Sequence, residues 1–180
     1  MGALRSMLLR YFQSLRFLFR QSVELGQYVR ISRSAVIRTD GGGIIRIGER
    51  SEVLDGVILQ TSGGNIEIGC RCSINAYTII YGHGGVRIGD NVLIAGHTMI
   101  IPNMHVFTDP LKPINKQGST RLGITIEDDV WIAHGVSILD GVTVGRGSIV
   151  GAGAVVNKSI PPYSIAVGVP AKVIGSRNLE

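Results

Sequence analysis

Large rings are scarce in this chain. Aromatic residues fill 6% of the 180 positions, and Trp131 is the single tryptophan. A globule packed around Phe, Tyr and Trp is excluded, although the length suits one domain with a sizeable core. Cysteine is nearly absent. Cys70 and Cys72 are too close in sequence to close a useful loop, and on a strand they would point the same way. That excludes a secreted disulfide framework and suits a reducing, cytoplasmic compartment. A Cys-x-Cys pair with no second pair is also a poor metal site, so both are read as core or corner residues. No apolar run approaches the roughly 20 residues that a bilayer-spanning helix needs. No GxxxxGK[ST] occurs and no GxGxxG opens a helix, which leaves nucleotide hydrolysis and dinucleotide binding unsupported.

Acidic residues are in deficit too, 13 against 18 Lys and Arg, for a formal net charge of +5. That balance favours an acidic partner: nucleic acid, an anionic membrane or a phosphorylated ligand. The basic residues are scattered and no nucleic-acid-binding motif is present, so nucleic acid is the weakest of the three.

Residues 1–20, MGALRSMLLRYFQSLRFLFR, place Leu4, Met7, Leu8, Tyr11, Phe12, Leu15, Leu18 and Phe19 at helical spacing. Arg5, Arg10, Arg16 and Arg20 interrupt the apolar stretch, and no small-residue cleavage site follows, which argues against a signal peptide. Two readings stay open. The helix packs on its own protein or an oligomer partner, or it lies in the plane of an anionic membrane at the inner face as a peripheral contact.

What the chain has in plenty is glycine, 25 residues, and a period. Every sixth residue from Ile124 gives Ile124, Val130, Val136, Val142, Ser148, Ala154 and Ile160. Two residues further on lie Ile126, Ile132, Ile138, Val144, Val150 and Val156. A strand repeats every two residues and a helix every 3.6. A period of six is the signature of a solenoid of short strands joined by tight corners. Three sides of six residues make about 18 residues per coil, with coils about 4.8 Å apart. About seven coils fit between residues 34 and 170, with one Val or Ile per side pointing inward. Earlier in the chain the same rhythm links Ile74 to Ile80 and runs through Val86, Val92, Thr98 and Met104. It stops at residues 105–123, HVFTDPLKPINKQGSTRLG, whose prolines and polar residues cannot line a solenoid face. Residues 1–30 are therefore a helix and lead-in, and 31–177 an all-β solenoid with a protruding loop at 105–123. Pro161-Pro162 ends the ladder, and the tail reads as a last partial coil and a cap over the open end.

The stretches Ile124-Thr-Ile-Glu-Asp-Asp-Val-Trp-Ile-Ala-His-Gly-Val, Gly151-Ala-Gly-Ala-Val-Val and Ile160-Pro-Pro-Tyr-Ser-Ile-Ala-Val-Gly-Val-Pro-Ala-Lys-Val-Ile resemble the hexapeptide-repeat acyltransferases. The resemblance spans residues 66–176. It is stronger to the xenobiotic, galactoside and maltose O-acetyltransferase group and its polysaccharide relatives. It implies a left-handed parallel β-helix, a homotrimer with sites between subunits, and acetyl-CoA as donor. The sugar enzymes carry an acidic, tyrosine-bearing N-terminal segment where this chain is basic, a departure that points towards surface-polysaccharide or lipopolysaccharide acceptors.

Direct acetyl transfer to a hydroxyl needs a base that takes the hydroxyl proton and returns it to the leaving thiolate, a task imidazole suits near neutral pH. His105 sits where the register breaks, with Asp109-Pro110 shortly after. The resemblance makes it the catalytic base. Asn75 matches a position contacting acceptor or thioester. His83 stands where the sugar enzymes often hold Asp; with Asp109 it is an acceptor-side candidate. Trp131 occupies an outward position, and an exposed indole wants a partner such as a pantetheine arm or a neighbouring subunit. His134 is read as adjacent to the cofactor and His97 as structural. The backbone amides of Ala133 and Ala152 are expected to bond the pantetheine. Asn157, Lys158 and Lys172 match positions lining the outer groove, where a basic residue can pair with phosphate, and Arg177 is a further candidate. No metal is expected. Two other readings of the same fold are a zinc hydratase of the γ-carbonic-anhydrase type, using His83, His105 and His134, and a catalytically silent scaffold. No histidine pair here has the five-residue spacing of the first, and the second has no need of the 105–123 excursion.

Overall fold

The computed structural model describes residues 22–177. The helix expected over residues 1–20 lies outside the described residues. Six turns of strand–corner–strand follow one another. Turn 1 holds β1 (Val23–Leu25), β2 (Arg30–Ile31) and β3 (Val36–Arg38), and turn 2 β4 (Ile45–Ile47), β5 (Glu52–Val53) and β6 (Ile58–Gln60). Turn 3 holds β7 (Ile66–Ile68), β8 (Ser73–Ile74) and β9 (Ile79–Tyr81), and turn 4 β10 (Val86–Ile88), β11 (Leu93–Ile94) and β12 (Met99–Ile100). An excursion carries β13 (Met104–His105) and β14 (Ser119–Thr120). Turn 5 holds β15 (Ile124–Ile126), β16 (Trp131–Ile132) and β17 (Ser137–Ile138), and turn 6 β18 (Thr143–Val144), β19 (Ile149–Val150) and β20 (Val155–Val156). Then β21 (Ser164–Val167) adds a partial turn, and β22 (Lys172–Ser176) pairs antiparallel with it as a cap.

The first strand of every turn stacks into sheet A, the second into sheet B and the third into sheet C, all parallel within the turns. The result is a left-handed parallel β-helix, as the resemblance implied. Six complete turns replace the expected seven, and β1 starts at Val23 in the stretch read as lead-in.

Both six-residue ladders point inward. Ile126, Ile132, Ile138, Val144, Val150 and Val156 are fully buried, and Ile124, Val130, Val136 and Val142 are at most 3% exposed. Each side thus buries two residues, not one, because residues i and i+2 of a strand share a face. Met104 departs from its expected rung: it belongs to β13 and is exposed, since the chain has already left the coil. Cys72 is buried with its thiol donating to the Gly89 carbonyl at 3.0 Å, and Cys70 sits at the corner beside it.

Corners need a reversal that strand geometry cannot supply. At the A–B corner, Tyr28, Arg50, Arg71, Asn91 and Asp129 all take the left-handed region, and Gly147 does so in turn 6. Non-glycine residues adopt that region at a cost, so a corner built this way in every turn fixes the coil geometry.

The outer faces differ. Sheet A carries Glu24, Arg46, Glu67 and Arg87 side by side. The Arg46 guanidinium bonds Glu24 at 2.6 Å and Glu67 at 3.0 Å, and Glu24 foremost raises its pKa. Sheet C instead carries Val36, Ile58, Ile79, Met99, Ser137 and Val155 in one outward row, all half-buried.

Replacing Ile94, fully buried in turn 4, by alanine is expected to cost about 2–5 kcal/mol in urea unfolding. Thr143→Ala, on the outer face of sheet A, should stay within about 0.5 kcal/mol of the parent.

Candidate functional site

Turns 4 and 5 are joined through the C–A corner by the excursion. Its strands β13 and β14 pair antiparallel, His105 opposite Ser119, and a single 3-10 turn spans Ile114–Lys116. The loop is seated on the turn below. A Cβ on Gly84 would lie 2.7 Å from the Arg121 carbonyl carbon and 2.8 Å from the Pro102 oxygen, so only glycine lets the two segments meet. The returning strand is held by Asp140, whose carboxylate accepts from the Thr120 hydroxyl at 2.8 Å and from the amides of Leu122 and Gly123 at 2.9 and 3.1 Å. The spacing pattern gave no hint of this clamp.

Asp109 organises the loop itself. Its carboxylate accepts from the Leu111 amide at 3.0 Å and pairs with Lys112 at 3.3 Å, while Gln117 bonds its backbone on both sides. The structure therefore gives Asp109 a loop-shaping contact set. His105 is exposed, and among the described residues its side chain makes no hydrogen bond. His83 lies at the same corner, next to the loop base. Its Nδ1 is buried without a partner, its ring meets Tyr81 edge-on at 5.7 Å, and burial, helped by the Arg121 charge, lowers its pKa.

The B–C corner gathers the other group. Trp131 points outward from sheet B, 49% exposed, with Leu93 beside it in the neighbouring turn. Past Trp131 the outward row is small, Ala95, Ala133 and Gly151, stacked through the bonds Ala95 N–H to Ile132 O and Ala133 N–H to Val150 O. Asn75 begins this row in turn 3, its side-chain amide donating to the Ile94 carbonyl at 2.9 Å. The Ala133 amide, expected to be available to a ligand, is already used at 2.9 Å, because each amide at that position closes the inter-turn ladder. One residue further on the amides are free: those of Ala76, Gly96, His134 and Ala152 have no hydrogen-bond partner among the described residues. The expectation for Ala152 fits this pattern. Sequence reasoning missed the other three, because the free amide is a property of the corner and leaves no mark on residue type. His97, read as structural, is exposed and stacks on Tyr77, with ring centroids 5.2 Å apart and planes at 24°. His134 meets His97 edge-on at 5.2 Å.

The candidates thus fall into two sets on the two edges of sheet C. Asn75, Trp131, Ala133, His134 and Ala152 lie at or beside the B–C corner, with Lys172 on the capping strand opposite Val167. His83, His105 and Asp109 lie at the C–A corner, and Asn157 and Lys158 follow β20 onto that same edge. The arrangement also separates His134 from His83 and His105. Arg177 belongs to neither set: its guanidinium bonds Asp129 and the Gly147 carbonyl, each at 3.0 Å, on the A–B corner, where it pins the tail. Two open grooves of 420 and 590 Å³ lie along sheet A and include none of these residues. Within one copy of the chain the two sets of candidates stay on opposite edges of sheet C.

Residues 123–158 match the family model described as bacterial transferase hexapeptide (six repeats). The probable acetyltransferase Rv3034c of Mycobacterium tuberculosis is 34% identical over 96% of this chain and 58% of its own length. The putative lipopolysaccharide biosynthesis O-acetyl transferase WbbJ of Escherichia coli is 34% identical over 80% of this chain and 76% of its own. Among solved structures, the N-acyltransferase AntD from Bacillus cereus, in complex with dTDP and 3-hydroxybutyryl-CoA, superposes with a TM-score of 0.78. It is 28% identical, over 92% of this chain and 89% of that one. The chain spans little more than half the length of its mycobacterial relative.

Acid should weaken the fold through His83. Its pKa is lowered in the folded chain, so below the ordinary value of 6.5 the unfolded chain binds a proton that the native state resists. Stability should fall as pH drops through that window. Thermal melts at pH 7.5 and 5.5 should differ less in His83→Gln than in the parent.

Proposed function

Because the chain belongs to the hexapeptide-repeat acyltransferases, we propose that it moves an acetyl group from acetyl-CoA to a saccharide hydroxyl, within a homotrimer. The observation that carries this reading is the division of the candidate residues between the two edges of sheet C. A site made of His105 from one edge and the Trp131–Ala152 groove from the other forms only where two copies meet. A head-to-tail contact of that kind closes into a ring. The outer faces fit: the apolar row of sheet C would line the axis of the ring, and the charged row of sheet A would face water.

The residues present suit the donor. A pantetheine arm is narrow and carries amide carbonyls. The Ala95–Ala133–Gly151 floor gives it width beside Trp131, and the amide of Ala152 gives it a donor. Lys172 stands exposed at the far end, where phosphates would lie. In the reaction, the partner's His105 takes the proton from the acceptor hydroxyl as its oxygen attacks the acetyl carbon. A corner amide, that of His134, would hold the oxyanion. The C–S bond breaks, and the imidazolium returns the proton to the thiolate. Saccharide as acceptor is supported by the lipopolysaccharide relative. Asp109 then acts through the shape of the loop that presents His105, and His83 supports that loop from below.

His105→Ala should lower kcat by about 10²–10⁴-fold, read as thiol release from acetyl-CoA with a saccharide panel. Ala152→Asp, which puts a carboxylate into the donor groove, should be inactive alone. Co-expression of the two variants should restore part of the activity, since one interface then joins an intact His105 to an intact groove. Mixed trimers that form and stay inert would refute the shared site. Met99→Asp on sheet C should release monomers on sizing.

A further inference from the structure

We propose that Tyr77 and His97 form the acceptor-binding edge of the site and select a pyranose ring; this rests on the acyl-transfer reading above. From turn 2 to turn 6 the B–C corner holds a left-handed residue. Turns 2, 5 and 6 fill it with Gly56, Gly135 and Gly153, at φ between 66° and 69°. Turns 3 and 4 instead place Tyr77 at φ 61° and His97 at φ 59° there. Bulky residues are disfavoured in that region, and this same corner takes glycine in turns 2, 5 and 6, so the coil does not need the two rings there. The column is also prepared from below. A Cβ on Gly56 would stand 2.6 Å from the Tyr77 ring, so the glycine provides the seat on which the ring rests. The ring is nonetheless 59% exposed.

Height along the solenoid decides what meets this column. Rotation about an axis parallel to the coil leaves height unchanged. His105 departs between turns 4 and 5, so the partner's His105 arrives level with His97 and His134. The donor arm occupies the groove from that level towards turn 6, where the free Ala152 amide lies and Lys172 follows. The acceptor hydroxyl must then approach from the opposite side, along turns 3 and 4. That stretch presents Asn75, Tyr77 and His97. The Asn75 side-chain N–H is bonded to Ile94, which leaves its carbonyl oxygen to accept from a hydroxyl. The Tyr77 hydroxyl and the His97 nitrogens add polar handles to an apolar ring edge. That combination suits a sugar ring, with C–H groups on its faces and hydroxyls on its rim.

The test uses Tyr77→Gly and His97→Gly, since glycine is what the same corner takes in three other turns and the coil should keep it. With acetyl-CoA and a nitrophenyl pyranoside acceptor, each variant should raise the acceptor KM about tenfold or more and leave the acetyl-CoA KM within about twofold. Trimer elution and the unfolding midpoint should not fall. A rise in the acetyl-CoA KM alone would assign the column to the donor groove and overturn the proposal. Unchanged values for both substrates, or a loss of stability without a selective effect on acceptor KM, would overturn it as well. A wild-type protein that releases no thiol with any saccharide is a different outcome: it removes the acyl-transfer reading itself, and this proposal with it.

Discussion

The structure depends on one repeated contact, a branched aliphatic side chain lying on its equivalent one turn away. Two such residues per side, three sides per turn, fill a core too narrow for aromatic rings, which accounts for the scarcity of Phe and Trp. Dispersion between stacked methyl groups is small for each pair and large for a column. The stacking leaves the outward positions free of any duty to the core. Each outer face can therefore take its own character: charged on sheet A, apolar on sheet C, and narrow beside a single indole on sheet B.

Most of the fold was legible because its rule is local. The ladder from Ile124 to Ile160 announces its period with no knowledge of distant contacts, and the break at His105 is visible as the place where the rule fails. The residue two places after each rung was visible too, but its burial follows from strand alternation and escaped the simpler count of one residue per side. The first turn was harder to see, since Val23 and Ile31 lie in a stretch with no regular neighbour to set the phase.

The candidate site was legible as a set of residues and not as a place. Asn75, His105, Trp131 and His134 become candidates through chemistry and through the resemblance, but which corner each occupies follows from counting sides around a closed triangle. The contrast between Ala133 and Ala152 is sharper. Both are small residues at the end of a sheet B strand, yet one amide is consumed by the next turn and the other has no partner among the described residues. A shift of one residue separates them. Arg177 shows a similar gap: a basic residue near the tail invites a phosphate, and only the cap's geometry reveals its bond to Asp129. The significance of His97 and Tyr77 comes from backbone conformation and from ring contacts across turns, neither of which a pattern of residue types encodes.

The excursion enters and leaves at one corner, and the coil closes over it: Val86 of β10 pairs with Ile124 of β15 as though nothing lay between them. For the solenoid the loop is a detachable cassette. Closing a loop twice as long costs only about 0.6 kcal/mol more in chain entropy. Its length and tip can therefore drift without disturbing a rung of the core, provided that the Gly84 seat and the Asp140 clamp persist. A scaffold built this way decouples inheritance of the fold from variation of the loop, which can change while the coil stays as it is.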